Sequence, residues 1–213
     1  MYADKKVEFT EKLAYRILLD CGISCYINNL IDKTAVDIQT QQGIKIDVQY
    51  SQNFAKYGDF RLDIISAFFP RIEKNTYIKY QYDPTLHLHQ NFEQKYHCEV
   101  KKKGKIYINN YLDALIILFF NSKLDILQFN MPDHVLIVKK SDLAEFIRHN
   151  IIDIFNSIKI NNKPDLDDKH GSAFIPIKVN TLIGYLGARC FYNTYSSLQE
   201  QPNKALIKYL LEN

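Results

Sequence analysis

A chain of 213 residues, 46% hydrophobic and 24% charged, has the make-up of a folded protein and is long enough for one large domain or two small ones. The formal charge of +3 permits nucleic-acid binding without demanding it. Four unevenly spaced Cys argue against a disulfide framework, and neither a signal region nor an apolar run of roughly 20 residues is present, so a cytoplasmic protein without a membrane partner is expected.

Residues 4–22 predict an amphipathic helix, with Val7, Ala14, Leu18 and Cys21 on one face and Gly22 as its stop. Glu11 falls on that stripe. An inward carboxylate is costly unless paired, hydrogen-bonded or bound to a cation, although an acid at the stripe's edge can also reach water. Ile23 to Leu30 reads as a strand. Ala35 to Tyr50 then reads as a hairpin turning at Gln41-Gln42-Gly43. Val36 and Ile38 share one face of its first strand, Asp37 and Gln39 the other. On the second strand Ile44, Ile46, Val48 and Tyr50 oppose Lys45, Asp47 and Gln49. Each strand thus carries an acid among branched apolar residues, where Asp is disfavoured. A wet polar face explains the pair, and so does a shared divalent cation.

Tyr57-Gly58-Asp59 predicts a turn into a half-buried strand that ends near Pro70. The segment 71–110 is rich in Tyr, Lys, His and Gln. Within it, a hairpin turning at Lys103-Gly104 is expected to carry Lys101, Lys102, Lys103 and Lys105 on one turn. His87, His89, His97 and Cys98 offer zinc-type ligands, with His87 and His89 on one strand face, but their spacing matches no compact zinc pattern. LDALIILFF, opened by Asp113, and HVLIVKK read as buried strands. SDLAEFIRHNIIDIF reads as a helix capped by Ser141, and 161–171 as an exposed loop. SAFIPIKV is expected at a sheet edge because of Pro176, and TLIGYLGARCFYNTY and NKALIKYLL as closing helices. No repeat or long linker divides the chain, so a single domain over 1–213 is expected, with an insertion at about 71–110.

The order helix, strand, two acid-bearing strands, then further strands and helices resembles the core of the PD-(D/E)xK nucleases. Glu11 followed by Ala14, Leu18 and Gly22 is similar to the first helix of archaeal Holliday-junction resolvases, and GISCYINN to their first strand. AVDIQTQQGIKIDVQYS resembles their catalytic hairpin, with Asp37 at the first acid and Asp47-Val48-Gln49 at the (D/E)xK triplet. LDALIILFF and HVLIVKKSDLAEFI are similar to the strands and helix that complete the sheet. Gln49 stands where the family usually carries Lys, and no Pro precedes Asp37.

The resemblance implies an α/β fold with a restriction endonuclease-like core, a central mixed β-sheet flanked by helices. It implies a DNA endonuclease that uses Mg²⁺ or Mn²⁺ held by Asp37, Asp47 and the carbonyl of Val48. Glu11 would hold a metal-bound water or a second cation. Gln49 would orient water, with Lys45 or Lys56 supplying the missing charge. Lys101, Lys102, Lys103 and Lys105, together with Lys139 and Lys140, are candidates to grip the DNA backbone. A homodimer would suit cutting of both strands. Two other readings stand beside it: a nuclease-like fold without catalysis that binds nucleic acid or protein, and an unrelated interaction protein whose acids are merely solvated.

Overall fold

The structure, a computed structural model, describes residues 2–28, 36–52, 54–70, 80–121, 127, 131–161 and 171–212. In chain order the elements are α1 (Tyr2–Asp20), β1 (Cys25–Ile27), β2 (Ile38–Thr40), β3 (Lys45–Ser51), α2 (Phe54–Tyr57) and β4 (Asp59–Pro70). Then follow α3 (Leu88–Tyr96), β5 (Cys98–Lys103), β6 (Ala114–Phe119), β7 (His134–Lys139), α4 (Lys140–His149) and α5 (Ile151–Ser157). β8 (Lys159–Asn161), β9 (Gly171–Lys178), α6 (Val179–Leu186), β10 (Cys190–Thr194) and α7 (Gln201–Glu212) complete the chain. Two compact units result. The first is Met1–Phe60, Asn110–Phe146 and Ile177–Asn213; the second is Arg61–Asn109 and Ile147–Pro176. Among the described residues no helix is long and apolar enough to cross a membrane.

The first unit is α/β, built on a mixed sheet of order β1-β2-β3-β6-β7-β10 in which β3 and β6 run parallel and the other neighbours antiparallel. Every residue of β6 is buried, as expected of a run of Ala, Leu, Ile and Phe with helices to cover both faces. α1 lays Leu13, Ala14, Ile17 and Leu18 against the face that carries Ile38, Ile46, Ile116, Leu118 and Ile137, and α7 adds Ile207, Leu210 and Leu211. Burying each such side chain contributes about 1.5–3 kcal/mol. The stripe of α1 is centred there and leaves Val7 42% exposed, off the face that the sequence spacing assigned to it. Gly22, with φ at 76°, ends the helix in the left-handed conformation that favours glycine.

Two aspartates tie the sheet's ends. The Asp113 Oδ2 accepts the Lys45 N–H at 2.9 Å, its N–H donates to the Lys45 carbonyl, and its carbonyl accepts the Lys140 N–H, so β3, β6 and the end of β7 are joined there. At the other end Asp133 accepts the Asn121 N–H on Oδ2 at 2.6 Å, donates to the Phe119 carbonyl and accepts from the Tyr195 N–H.

Four expectations are corrected. The segment read as one closing helix breaks at Gly187, and Cys190-Phe191-Tyr192-Asn193-Thr194 becomes β10, paired with β7, because an aromatic-rich run packs well on a half-buried sheet face. The helix after β7 starts at Lys140, leaving Ser141 inside its first turn, and stops at His149 before α5. Lys103-Gly104 makes no hairpin: β5 pairs with β4, and a 3-10 turn, Lys105–Tyr107, follows. β9 lies between β4 and β8 in the second unit's sheet, order β5-β4-β9-β8, so it is not an edge strand. The β8 register covers only Ser172 to Phe174, which leaves Pro176 beyond its reach and its missing N–H harmless on that side. The loop expected at 161–171 falls largely outside the described residues.

The second unit also contains α3, whose buried Asn91 is saturated. Its Nδ2 donates to the carbonyls of Asp83, Leu86 and His87 at 2.9, 3.1 and 3.2 Å, while its Oδ1 accepts from the Tyr80 hydroxyl and the Asp83 N–H. One amide therefore fixes the path from Tyr80 to His87. Gly104 meets β4 just as closely. Its N–H donates to the Ile64 carbonyl, and a Cβ there would lie 2.0 Å from the Asp63 carbonyl oxygen.

Gly104→Ala is therefore expected to destabilise the protein by about 3 kcal/mol through overpacking against backbone. Gly184→Ala, on α6 with nothing within 4 Å of the added methyl, should stabilise it by about 0.5–1 kcal/mol. Denaturant unfolding of the two variants against the parent checks both signs.

Candidate active site

The turn between β2 and β3 is closed by Gly43 at φ 89° and by Thr40, whose Oγ1 accepts the Ile44 N–H at 3.1 Å. It sets an antiparallel register of Gln39 with Lys45 and Ile38 with Ile46. The ladder ends at the Ile38–Ile46 pair, and Asp37, just before β2, reaches β3 through its side chain. Ile38 and Ile46 face the α1 cluster, so Asp37, Gln39, Lys45, Asp47 and Gln49 alternate to the other side of the sheet.

Their surroundings differ. Asp47 is 1% exposed and Asp37 half-buried. Asp37 accepts the Val48 N–H on Oδ2 at 2.6 Å, a charge-assisted bond that fixes its carboxylate against β3. Gln49 donates from Nε2 to Asp47 Oδ2 at 3.1 Å.

Glu11 is 4% exposed on α1, in line with an inward-facing acid. Among the described residues no three His, Cys, Asp or Glu side chains are grouped so as to hold a metal ion. His87 and His89 flank the start of α3, not a strand, and stack with centroids 5.6 Å apart; His97 is at the helix's other end. Lys45 shares the acids' face, yet its Nζ donates to the Asn110 carbonyl at 2.9 Å. Lys56 is exposed, its Nζ 4.8 Å from the centroid of the Tyr57 ring. Lys101, Lys102 and Lys103 alternate along β5, so they share no single turn, and Lys101 pairs with Glu99 at 2.5 Å. Lys105 opens the 3-10 turn half-buried. Lys139 ends β7 and Lys140 begins α4; burial lowers the Lys140 pKa and the nearby Asp113 opposes the shift.

Sequence reading passed over His134. Its ring stacks on Tyr192 with centroids 5.4 Å apart, lies 5.8 Å from Phe54, and keeps a buried Nδ1 with no hydrogen-bond partner. No spacing signal marks it, because the contact to Tyr192 joins strands 58 residues apart in a region read as a helix.

No family model, curated protein or solved structure matches the chain.

A thiol nucleophile finds no support. Burial pushes Cys21 and Cys25 up to about 11, and raises Cys190 as well. Against the ordinary value of 9.0, a pKa near 11 leaves about 100-fold less thiolate at neutral pH. Iodoacetamide at pH 8 is expected to label Cys21 at least about 100-fold more slowly than free cysteine, with mass-spectrometric peptide mapping as the readout. Labelling at the free-cysteine rate would mean that the site is open.

Proposed function

We propose that the chain is a metal-dependent DNA endonuclease with a restriction endonuclease-like core, hydrolysing phosphodiester bonds at the Asp37–Asp47 pair. The observation that supports this reading is Asp47 buried on β3 at 1% exposure, with the Asp37 carboxylate held against the next residue's N–H, that of Val48, at 2.6 Å. The donor set is small and all oxygen, which fits Mg²⁺ or Mn²⁺: such ions take hard ligands and keep several waters, so two carboxylates and one carbonyl suffice. Asp37, Asp47 and the Val48 carbonyl are the proposed ligands. A bound ion would neutralise charge at the phosphoryl group and acidify a water.

The chain's own residues supply orientation. The Val48 N–H fixes Asp37, and the Gln49 amide holds one oxygen of Asp47 in place. Gln49 has no proton to exchange near neutrality, so it orients and does not act as a base. Glu11, buried on α1, stands outside the ligand pair in this reading. The substrate is DNA, duplex or branched, and a homodimer would serve cutting of both strands.

One observation favours a second reading, a nuclease-like fold that binds nucleic acid or protein without cutting. Gln49, which donates to Asp47, is neutral, and the Lys45 ammonium donates to the Asn110 carbonyl, so neither of these hydrogen bonds brings a cation to the aspartates in place of the usual Lys.

Cleavage of supercoiled plasmid and four-way-junction DNA, with Mg²⁺ or Mn²⁺, separates the two. Metal-dependent cutting that falls at least about 100-fold in Asp47→Asn is the expected result. Mn²⁺ should also raise the thermal midpoint of the parent protein and not that of Asp47→Asn. Metal binding without cutting selects the second reading. Neither binding nor cutting removes the carboxylate pair as a site.

A further inference from the structure

The second unit contains a cavity of about 320 Å³. Ile64, Ile65 and Leu88 give it an apolar wall; His87, His89, Lys103, Tyr107 and Asn109 give it a polar one, and among the described residues no carboxylate lines it. Lys103 makes no ion pair among the described residues, unlike Lys101 two positions earlier. The Tyr107 hydroxyl is buried without a hydrogen-bond partner, and burial raises its pKa so that it remains a donor. An unpaired buried hydroxyl is unfavourable, and an acceptor supplied by a ligand would satisfy it. Leu88 and His89 belong to the first turn of the nine-residue α3, which has no acid there, so the helix's partial positive charge also bears on the cavity.

The imidazoles complete the pattern. Burial lowers the His89 pKa, the Lys103 charge and His87 lower it further, and Glu93 opposes them. Glu93 itself is engaged by the Val100 N–H at 2.7 Å. An anion between His89 and Lys103 would reverse the balance by accepting hydrogen bonds from both. The arrangement is also rigid: Asn91 pins the entry to α3, and the close approach of Gly104 to β4 pins Lys103 and the turn that carries Tyr107.

We infer that this cavity binds a small molecule bearing a phosphomonoester, of about the size of a nucleoside monophosphate. A phosphomonoester near neutrality carries close to two negative charges and three acceptor oxygens, matching one ammonium, two imidazoles and a phenol better than a single carboxylate would. Inorganic phosphate would leave most of 320 Å³ empty, whereas a sugar or base would lie against Ile64, Ile65 and Leu88. A free mononucleotide and the 5′-phosphorylated end of a strand present the same group. The inference is independent of the Asp37–Asp47 reading.

Calorimetric titration of the full chain tests it, with adenosine 5′-monophosphate, ribose 5-phosphate, adenosine, and a tetranucleotide with and without a 5′-phosphate. Adenosine monophosphate should bind at least about tenfold more tightly than adenosine. Lys103→Ala and Tyr107→Phe should each weaken it severalfold or more, while Lys159→Ala, exposed on β8 and outside the lining, should leave it unchanged. Tighter binding of the phosphorylated tetranucleotide than of the mononucleotide assigns the ligand to a strand end; the reverse order assigns it to a free nucleotide. Absence of binding by both phosphate-bearing small molecules at millimolar concentration overturns the inference. So does binding that Lys103→Ala and Tyr107→Phe leave intact in variants whose circular dichroism and melting match the parent.

Discussion

Parallel pairing of β3 with β6 is the constraint on which the first unit depends. Ile46 to Ser51 lie beside Ala114 to Phe119, and every other strand of the sheet is added outward from these two. β6 must therefore be apolar on both faces, and it is buried throughout. The same pairing forces Asp47 into the interior, since β3 has a neighbour on each side and its residue 47 lies beside Leu115. A charged group would not be left there without compensation. The Gln49 amide on Asp47 and the Val48 N–H on Asp37 are two of the contacts that the chain itself provides.

The second unit shows the complementary case. Asn91, fully buried, has partners for both of its amide hydrogens and for its oxygen, and it fixes a stretch of chain with no regular structure of its own. Tyr107 is half-buried, but its hydroxyl oxygen is enclosed and has no hydrogen-bond partner. Since the great majority of buried polar groups are satisfied, the contrast within one small unit separates a group that builds the fold from one that awaits a ligand.

Much of the first unit was legible in the sequence, and the reason is periodicity. The α1 span repeats a helical period and β3 alternates, while β6 and β7 were marked by short runs rich in branched apolar residues. Less was legible where the pattern is short or mixed. Cys190 to Thr194 follow a helical stretch without a Pro between them, so the strand was hidden until its pairing with β7 was seen. The 3-10 turn at Lys105–Tyr107 breaks the alternation that would have joined Lys103 to Tyr107. The two units were invisible for a different reason: three of the four points where the chain passes between them fall inside β4, α4 and β9, where no linker composition arises. The destination of the Lys45 ammonium, the carbonyl of Asn110, depends on tertiary contacts that no local pattern encodes.

The long reach of that central pairing also shapes how the protein comes to be folded. Lys45 and Asp113 are 68 residues apart in the chain, so closing β3 onto β6 from an unstructured state means ordering a large loop before any contact rewards it. Most of what lies between them is Arg61–Asn109, the first segment of the second unit. Pairing of Ile65 with Lys103 removes more than half of that separation from the loop. Assembly of β4 with β5 first would lower the kinetic barrier to the first unit's sheet, making the segment that interrupts the sheet in sequence a means of bringing its halves together.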